Sequence, residues 1–326
     1  MRIIGIGNAL LDVLLQLDSD TVLTEMGVKK GAMDLIDESR MREIQKAQSG
    51  LQRSEAPGGS VCNTMRAMAR LGAEVGYIGK IGSDNTGKIY EEETNKAGVN
   101  PFFVHADGIS GCSTVLISPD GERTMATYLG PAATLSDDEI PDEIFQPYDC
   151  LYMEGYLISA EKLFLPMLRR AKRLGLKVAL DLSNFNIVNG FKDLLKEVIP
   201  EYVDILFSNE SEAEAYTGMT AREAVNVITK DVEISVVTIG KDGVLVGENN
   251  RVIHNPALDS NVIDTTGAGD NFAAGFLYGY SLGATLEQSA KIGTLLSANV
   301  IETVGAQIEE ERWAKIKLKV EDILRK

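Results

Sequence analysis

Cysteine, histidine and aromatic side chains are scarce in this chain of 326 residues, which holds three cysteines, two histidines and one tryptophan with an aromatic content of 6%. Cys62, Cys112 and Cys150 are odd in number and far apart, a spacing that fits neither a disulfide framework nor a zinc site and implies a reducing cytoplasm. His105 and His254 are too scattered for a metal cluster or a hydrolase triad. Basic charge is also short: 32 Lys and Arg against 48 Asp and Glu leave a net charge of −16. A surface that acidic repels nucleic acid and anionic membrane, so no nucleic-acid or membrane partner is expected. No apolar run approaches a membrane span, and Arg2-Ile3-Ile4-Gly5-Ile6-Gly7 forms a short strand in place of a basic and apolar leader. The G-x-x-x-x-G-K-[ST] pattern is missing, which excludes a P-loop enzyme. Gly5 and Gly7 follow a strand, but Leu10 stands where a dinucleotide-binding turn needs its third glycine. What remains is a soluble cytoplasmic protein that must hold any anionic ligand by local dipoles and a few placed cations.

Hydrophobic residues make up 44% and charged residues 25%, values of an ordinary globular chain. Strand-like runs at Arg2–Gly7, Val75–Gly79, Leu151–Met153, Lys177–Leu182, Val203–Phe207 and Ile234–Ile239 alternate with amphipathic stretches at helical spacing. Those stretches include Ser60–Leu71, with Gly72 as C-cap, Glu161–Leu174 and Asp270–Leu282. Such alternation predicts a parallel sheet covered by helices on both faces. One region breaks the rhythm: Ser113–Ser118, Pro119-Asp120-Gly121 and Glu122–Leu129 read as an antiparallel hairpin. With strand-like Asp12–Leu17 and Ala32–Ile36, it predicts a small accessory sheet able to cover a cleft.

The chemistry concentrates at Asp264-Thr265-Thr266-Gly267-Ala268-Gly269-Asp270. Phe272, Phe276, Leu277 and Tyr280 repeat at helical intervals directly after it, so Gly267, Ala268 and Gly269 form a nearly side-chain-free loop at a helix N-terminus. Backbone N–H groups there can close around an anion, with the helix dipole adding to the attraction. Asp270 in the first turn sets a base beside that anion hole, as phosphoryl transfer to a hydroxyl requires. Taken alone, the same residues read equally as a tight turn followed by an N-terminal cap.

That motif, continued through Asn271-Phe272-Ala273-Ala274-Gly275-Phe276, resembles the C-terminal signature of the ribokinase-like family of carbohydrate and nucleoside kinases. Pro57-Gly58-Gly59-Ser60-Val61-Cys62-Asn63 is similar to the family's paired-glycine signature, and Asn209-Glu210-Ser211-Glu212 to its N-x-x-E motif after a core strand. Gly5-Ile6-Gly7-Asn8-Ala9-Leu10-Leu11-Asp12, Asp204–Glu210 and Gly121-Glu122-Arg123-Thr124-Met125 with Tyr128-Leu129-Gly130 are similar to the adenosine kinase-like branch. The resemblance implies a three-layer α/β/α fold with a mostly parallel central sheet. It implies one domain over residues 1–326, with strands of a small β lid inserted at about 12–37 and 100–130. It also implies an ATP- and magnesium-dependent phosphotransferase acting on a primary hydroxyl. The acceptor is a nucleoside, adenosine first, or alternatively a sugar of the ribokinase, fructokinase or sugar-acid kinase type.

Residue by residue, the resemblance makes Asp270 the base and Gly267, Ala268 and Gly269 the anion hole. Asn8, Asp12, Gly58, Gly59, Ser60 and Asn63 become acceptor contacts; without the resemblance Asp12 reads as a solvated loop residue, Asn8 as a turn former and Ser60 as a plain N-cap. Asn209, Thr238, Gly240 and Asn299 would border the nucleotide, and Glu212 would act on magnesium through water. For Asn209 and Glu212 the alternative is a solvated helix start, and for Lys241 a hairpin turn. Asp264 and Thr266, with carbonyls near Val300–Gly305, match a monovalent-cation site, that is, potassium. Arg123 would reach the γ-phosphate on lid closure, or pair with Glu122 in solvent. Cys62 and Trp313 are expected to pack as apolar side chains. Adenosine kinases tend to be monomers, whereas sugar kinases of the family often pair through their lids.

Overall fold

The computed structural model describes residues 1–31, 33–47, 53–120, 122–249 and 251–326. Its strands are β1 (Ile3–Ile6), β2 (Leu10–Gln16), β3 (Met33–Leu35), β4 (Arg53–Gly58), β5 (Val75–Gly82), β6 (Asn100–Ala106), β7 (Gly111–Ile117), β8 (Arg123–Tyr128), β9 (Cys150–Glu154), β10 (Lys177–Asp181), β11 (Ile205–Asn209), β12 (Ile234–Thr238), β13 (Val244–Glu248) and β14 (Arg251–Asn255). Its helices are α1 (Thr21–Glu25), α2 (Glu38–Ala47), α3 (Ser60–Leu71), α4 (Asn85–Lys96), α5 (Phe164–Arg173), α6 (Phe185–Gly190), α7 (Lys192–Tyr202), α8 (Glu210–Thr217), α9 (Ala221–Ile228), α10 (Ala268–Ser281), α11 (Leu286–Val300) and α12 (Trp313–Arg325). No described helix is long and apolar enough to cross a membrane.

Nine strands form the main sheet in the order β14-β13-β12-β11-β10-β9-β1-β5-β6. The run from β12 to β6 is parallel, and β13 and β14 close one edge as antiparallel strands. Parallel strands are covered on both faces, so they read as continuous apolar runs; β1 and β5 are buried along their whole length. One face packs on α3, α4, α10, α11 and α12 through Met65, Tyr90, Phe276, Leu296 and Trp313. The other packs on α5, α7, α8 and α9 through Met167, Val198, Tyr216 and Val225. This is the three-layer arrangement expected.

A second sheet runs β3-β8-β7-β2-β4. Along β2, Val13 and Leu15 are buried in a separate core with Leu23 and Met26 of the α1 region and Ile44 of α2. The period of two turns Asp12 and Leu14 to the opposite face. The hairpin β7–β8 is antiparallel as expected; Gly121 of its turn, and Ala32 at the expected start of β3, lie outside the described residues. The small sheet departs from the expected insertions in two ways. Residues 100–106 are β6, paired with β5 in the main sheet, because their apolar side chains continue that sheet's edge. The small sheet instead recruits β4 beside β2, a polar stretch with no alternation to announce it. Helix α3 ends on Gly72 at φ 104°, the left-handed C-cap expected. Helix α10 opens two residues earlier than its apolar pattern suggests, because Ala268 and Gly269 have helical backbone without apolar side chains.

Candidate active site

Polar side chains stand at or just beyond the C-terminal ends of neighbouring parallel strands: Asn8 after β1, Glu154 on β9, Asp181 on β10, Asn209 on β11 and Thr238 on β12. Ligands of open α/β sheets bind at this edge. Helix α10 points its N-terminus at the same place. Gly267 is its N-cap at φ 68°, in the left-handed region, where a side chain would also collide with Ala306. Asn271 locks the loop by donating from Nδ2 to the carbonyls of Gly267 at 2.9 Å and Ala306 at 3.0 Å. The Ala268 N–H turns back to the Thr265 carbonyl at 3.2 Å. The remaining first-turn N–H groups, of Gly269 and Asp270, have no intrahelical acceptor available to them.

Asp270 is the third helical residue. Ser60 Oγ donates to its Oδ1 at 2.7 Å and Asn63 Nδ2 to its Oδ2 at 2.9 Å. Residues expected to face the acceptor thus first aim the carboxylate. Burial raises the Asp270 pKa above the ordinary carboxylate range, while these two hydrogen bonds pull it back. Both donors sit on the first turn of α3, three apart on one face. Asp12 stands on β2, on the face of the small sheet turned away from that sheet's own core; burial and the charge of Asp270 push it up to about 7, against the pull of Arg123. Gly58 faces it from β4, where a side chain would collide with the Asp12 carboxylate. Gly59 is the N-cap of α3 and Ser60 its first residue.

Glu154 was not anticipated. It is 1% exposed; its Oε1 accepts from Asn8 N at 2.9 Å and Asn8 Nδ2 at 2.8 Å, and its Oε2 accepts from Val61 N at 3.3 Å. It therefore holds the β1–β2 corner against the start of α3, and Asn8 serves as its partner. Burial pushes Glu154 up to about 7. Its signal in the sequence was a carboxylate closing the apolar run Leu151-Tyr152-Met153.

Asn209 and Glu212 close on each other. Asn209 Oδ1 accepts from Glu212 N at 3.0 Å, Glu212 Oε2 accepts from Asn209 N at 2.9 Å, and Asn209 Nδ2 donates to Glu212 Oε1 at 2.7 Å. This is a capping box for α8; Asn209 at the helix start is exposed, but Glu212 is not solvated, being 4% exposed. A cavity of about 300 Å³ is lined by Glu212, Asp181, Ser183, Asn209, Ser60 and Asp270 together with the Gly267–Gly269 loop. Asp181, also missed from the sequence, is pushed well up by burial and by the neighbouring charge of Glu212. Among the described residues, no three His, Cys, Asp or Glu side chains are gathered closely enough to hold an ion directly. Hard carboxylate oxygens around a polar cavity that lacks lysine and arginine in its described lining suit a divalent ion held through water.

A second cavity of about 420 Å³ adjoins the first, sharing Thr238, Thr265, Ala268, Gly269 and Phe272. Gly240, Lys241, Leu258, Ser297 and Ala298 form its other walls. Lys241 stands in the turn between β12 and β13, as the hairpin alternative had it. Asn299 is not brought to this cavity. Its Nδ2 donates to Leu295 O at 2.8 Å, and it lines, with Glu302 and Arg312, an adjoining groove that shares Leu258, Asp259, Ser260 and Ala298 with this cavity. The helical period explains the correction: Thr294, Ser297 and Ala298 share one face of α11 and residue 299 turns to the next.

Arg123, at the start of β8, neither pairs with Glu122 nor hangs in solvent; it forms an ion pair with Asp264. Asp264 Oδ1 also accepts from Thr266 N at 2.9 Å and Thr266 Oγ1 at 3.0 Å, and its Oδ2 accepts from Gly305 N at 2.7 Å. The geometry departs here from the expected potassium site, since the carboxylate is already filled by donors. His105 and His254 lie apart from the site, the first near Glu91 and the second on the Asp242 carbonyl. All three cysteines are buried, and Trp313 is buried under α3 and α11.

A buried carboxylate held in front of a helix N-terminus, with adjoining cavities on the carboxyl edge of a parallel sheet, is an arrangement able to support phosphoryl transfer. The model of the pfkB family carbohydrate kinases matches residues 29–313, and the chain belongs to that family. An uncharacterized sugar kinase of Archaeoglobus fulgidus is 31% identical over 245 residues, covering 74% of this chain and 96% of that protein. Among solved structures, the adenosine kinase of Sinorhizobium meliloti is 31% identical with a TM-score of 0.88, over 98% of each chain. A probable sugar kinase of Rhizobium etli is 30% identical with a TM-score of 0.88, again over 98% of each. The protein is a sugar or nucleoside kinase.

Proposed function

We propose that this chain transfers the γ-phosphoryl group of ATP to a primary hydroxyl of a nucleoside, with adenosine the first candidate. The observation that carries the reading is the Asp270 carboxylate, fixed by Ser60 and Asn63 at 2.7 and 2.9 Å where the α10 N-terminus opens onto the cavities. The acceptor hydroxyl gives its proton to Asp270 as its oxygen bonds to the γ-phosphorus and the bond to the β-phosphate oxygen breaks, releasing ADP. Burial keeps the Asp270 pKa raised, which suits a base working near neutrality. First-turn N–H groups of α10 receive the charge that develops on the transferred group. Asp12 and Asn8 hold the acceptor, and Thr238, Gly240, Ser297 and Ala298 wall the space for the nucleotide. Magnesium would supply positive charge against the phosphates during transfer; Glu212, Asn209 and Asp181 would hold it through water. The small sheet acts as the lid and carries Asp12 on β2.

The adenosine assignment draws support from the full-length likeness to the Sinorhizobium meliloti adenosine kinase. A sugar acceptor is the second reading, favoured by the equal likeness to the Rhizobium etli probable sugar kinase. In the first reading the protein is a monomer, in the second a pair joined through the lids. Three buried cysteines far apart in the chain are in keeping with a reducing cytoplasm. The test is ADP release from Mg-ATP against nucleosides, pentoses, hexoses and sugar acids. Adenosine turnover is expected, and Asp270→Asn lowers kcat by about 10²- to 10⁴-fold. Turnover of a free sugar alone selects the second reading, and an undiminished Asp270→Asn enzyme refutes the mechanism.

A further inference from the structure

The Asp264 neighbourhood is where this chain parts from the expectation its motif raises. A carbonyl oxygen offers two lone pairs, and those of Val300 and Ile301 are already used. Val300 O accepts from Thr303 N at 3.0 Å and Thr303 Oγ1 at 2.9 Å. Ile301 O accepts from Ile263 N at 2.8 Å and Asp264 N at 3.1 Å. Asp264 itself takes Thr266 N–H, Thr266 O–H, Gly305 N–H and the guanidinium of Arg123. The Arg123 and Asp264 side chains are only 17% and 7% exposed. A potassium ion here would have to displace a positive charge that the chain brings itself.

We propose that the Arg123 guanidinium takes the place of the monovalent cation at Asp264, so that phosphoryl transfer by this chain is independent of potassium. The inference rests on reading Gly267–Gly269 as the anion hole, because Asp264 opens the loop that ends there. A guanidinium is well suited to this position, since it stays charged, it is weakly hydrated, and its planar fork holds a carboxylate in a fixed orientation. It differs from a potassium ion in its origin. The charge arrives with the small sheet and not from solvent, so the loop before α10 is set only while that sheet sits over the site. Arg123 also acts on Asp12, whose pKa its charge lowers. One arginine thereby ties the small sheet, the acceptor carboxylate on its β2 strand and the anion-hole loop together. Arg123 is a positioning residue in this scheme.

The test compares wild type with Arg123→Met, and with Arg123→Gln should the methionine variant not fold. Two readouts are taken in potassium, sodium or tetramethylammonium chloride at equal ionic strength: the thermal midpoint without nucleotide, and turnover with Mg-ATP and the acceptor that the panel identifies. Wild type is expected to show the same midpoint and, within about twofold, the same rate in all three salts. The variant is expected to be slower in tetramethylammonium, and to recover both midpoint and rate in potassium. A wild type stabilised by potassium, or activated by it more than about tenfold, overturns the proposal. A variant as indifferent to potassium as wild type overturns it equally, since Asp264 would then need no cation. If no acceptor is turned over, the proposed function fails, and the nucleotide-free midpoints still decide the arginine question.

Discussion

Replacing Glu154 with glutamine should make the protein less stable at pH 5 and more stable at pH 8. The carboxylate is buried and accepts from Asn8 N, Asn8 Nδ2 and Val61 N. Glutamine can keep its oxygen on the two Asn8 donors at 2.9 and 2.8 Å, but its amide then faces the Val61 N–H, which formerly donated at 3.3 Å. Leaving that buried donor unsatisfied costs about 1–3 kcal/mol at any pH. The opposing effect depends on pH. Glu154 is raised from 4.5 to about 7 by burial, so the native state binds its proton more tightly than the unfolded chain. Stability from this group is complete below the unfolded value and is lost as pH climbs through the folded one. With those two values the loss is about 0.8 kcal/mol at pH 5 and about 3.3 kcal/mol at pH 8. The variant escapes it, so the difference between variant and wild type should move by about 2.5 kcal/mol across the window, changing sign near neutrality. Removing the charge also relieves Asp181, which Glu154 pushes up, in the same direction. Urea unfolding of both proteins at pH 5, 6.5 and 8, without divalent ions, measures it. A difference that stays constant with pH would show that Glu154 is not the strained carboxylate the geometry describes.

The remaining expectations concern the catalytic edge. Ser60 lowers the Asp270 pKa through its 2.7 Å hydrogen bond, so Ser60→Ala should shift the acidic limb of kcat/KM up by about one pH unit and leave activity at pH 9 close to wild type. An equal loss at every pH would mean that Ser60 touches the acceptor and does not tune the base. Ala298 lines the larger cavity whereas Asn299 does not. Accordingly Ala298→Phe should raise the KM for ATP by about tenfold or more while Asn299→Ala leaves it unchanged; the reverse pattern would relocate the nucleotide.

Much of the fold was legible because its rules are local. Continuous apolar runs marked β1, β9, β10 and β12, since parallel strands are buried on both faces, and Gly72 marked the end of α3. The misses were of another kind. β6 begins at Asn100-Pro101 and carries the exposed His105, so it looks like an edge strand but gives no sign of whose edge it is. β4, rich in Ser, Glu and Pro, becomes a strand only because β2 offers it a partner. Pairing between distant segments is a tertiary decision that composition does not encode.

The site divides along the same line. Asp270, Gly267 to Gly269, Ser60 and Asn63 belong to short motifs in which spacing already fixes who sits beside whom. Glu154 and Asp181 carry no motif; each is one carboxylate at the end of an apolar strand, and its meaning depends on the strand order that aligns β9 and β10 with β1 and β11. That order gathers like charges: Asp181 is raised by Glu212, Asp270 and Glu154, and Asp12 by Asp270. A chain of net charge −16 would gain stability by dispersing them. Their retention at one edge, with no lysine or arginine in the described lining of the polar cavity, follows if their counter-charge arrives with magnesium and is released with product. Arg123 is the exception that fits, since it approaches from the other sheet and neutralises Asp264 without lining the polar cavity.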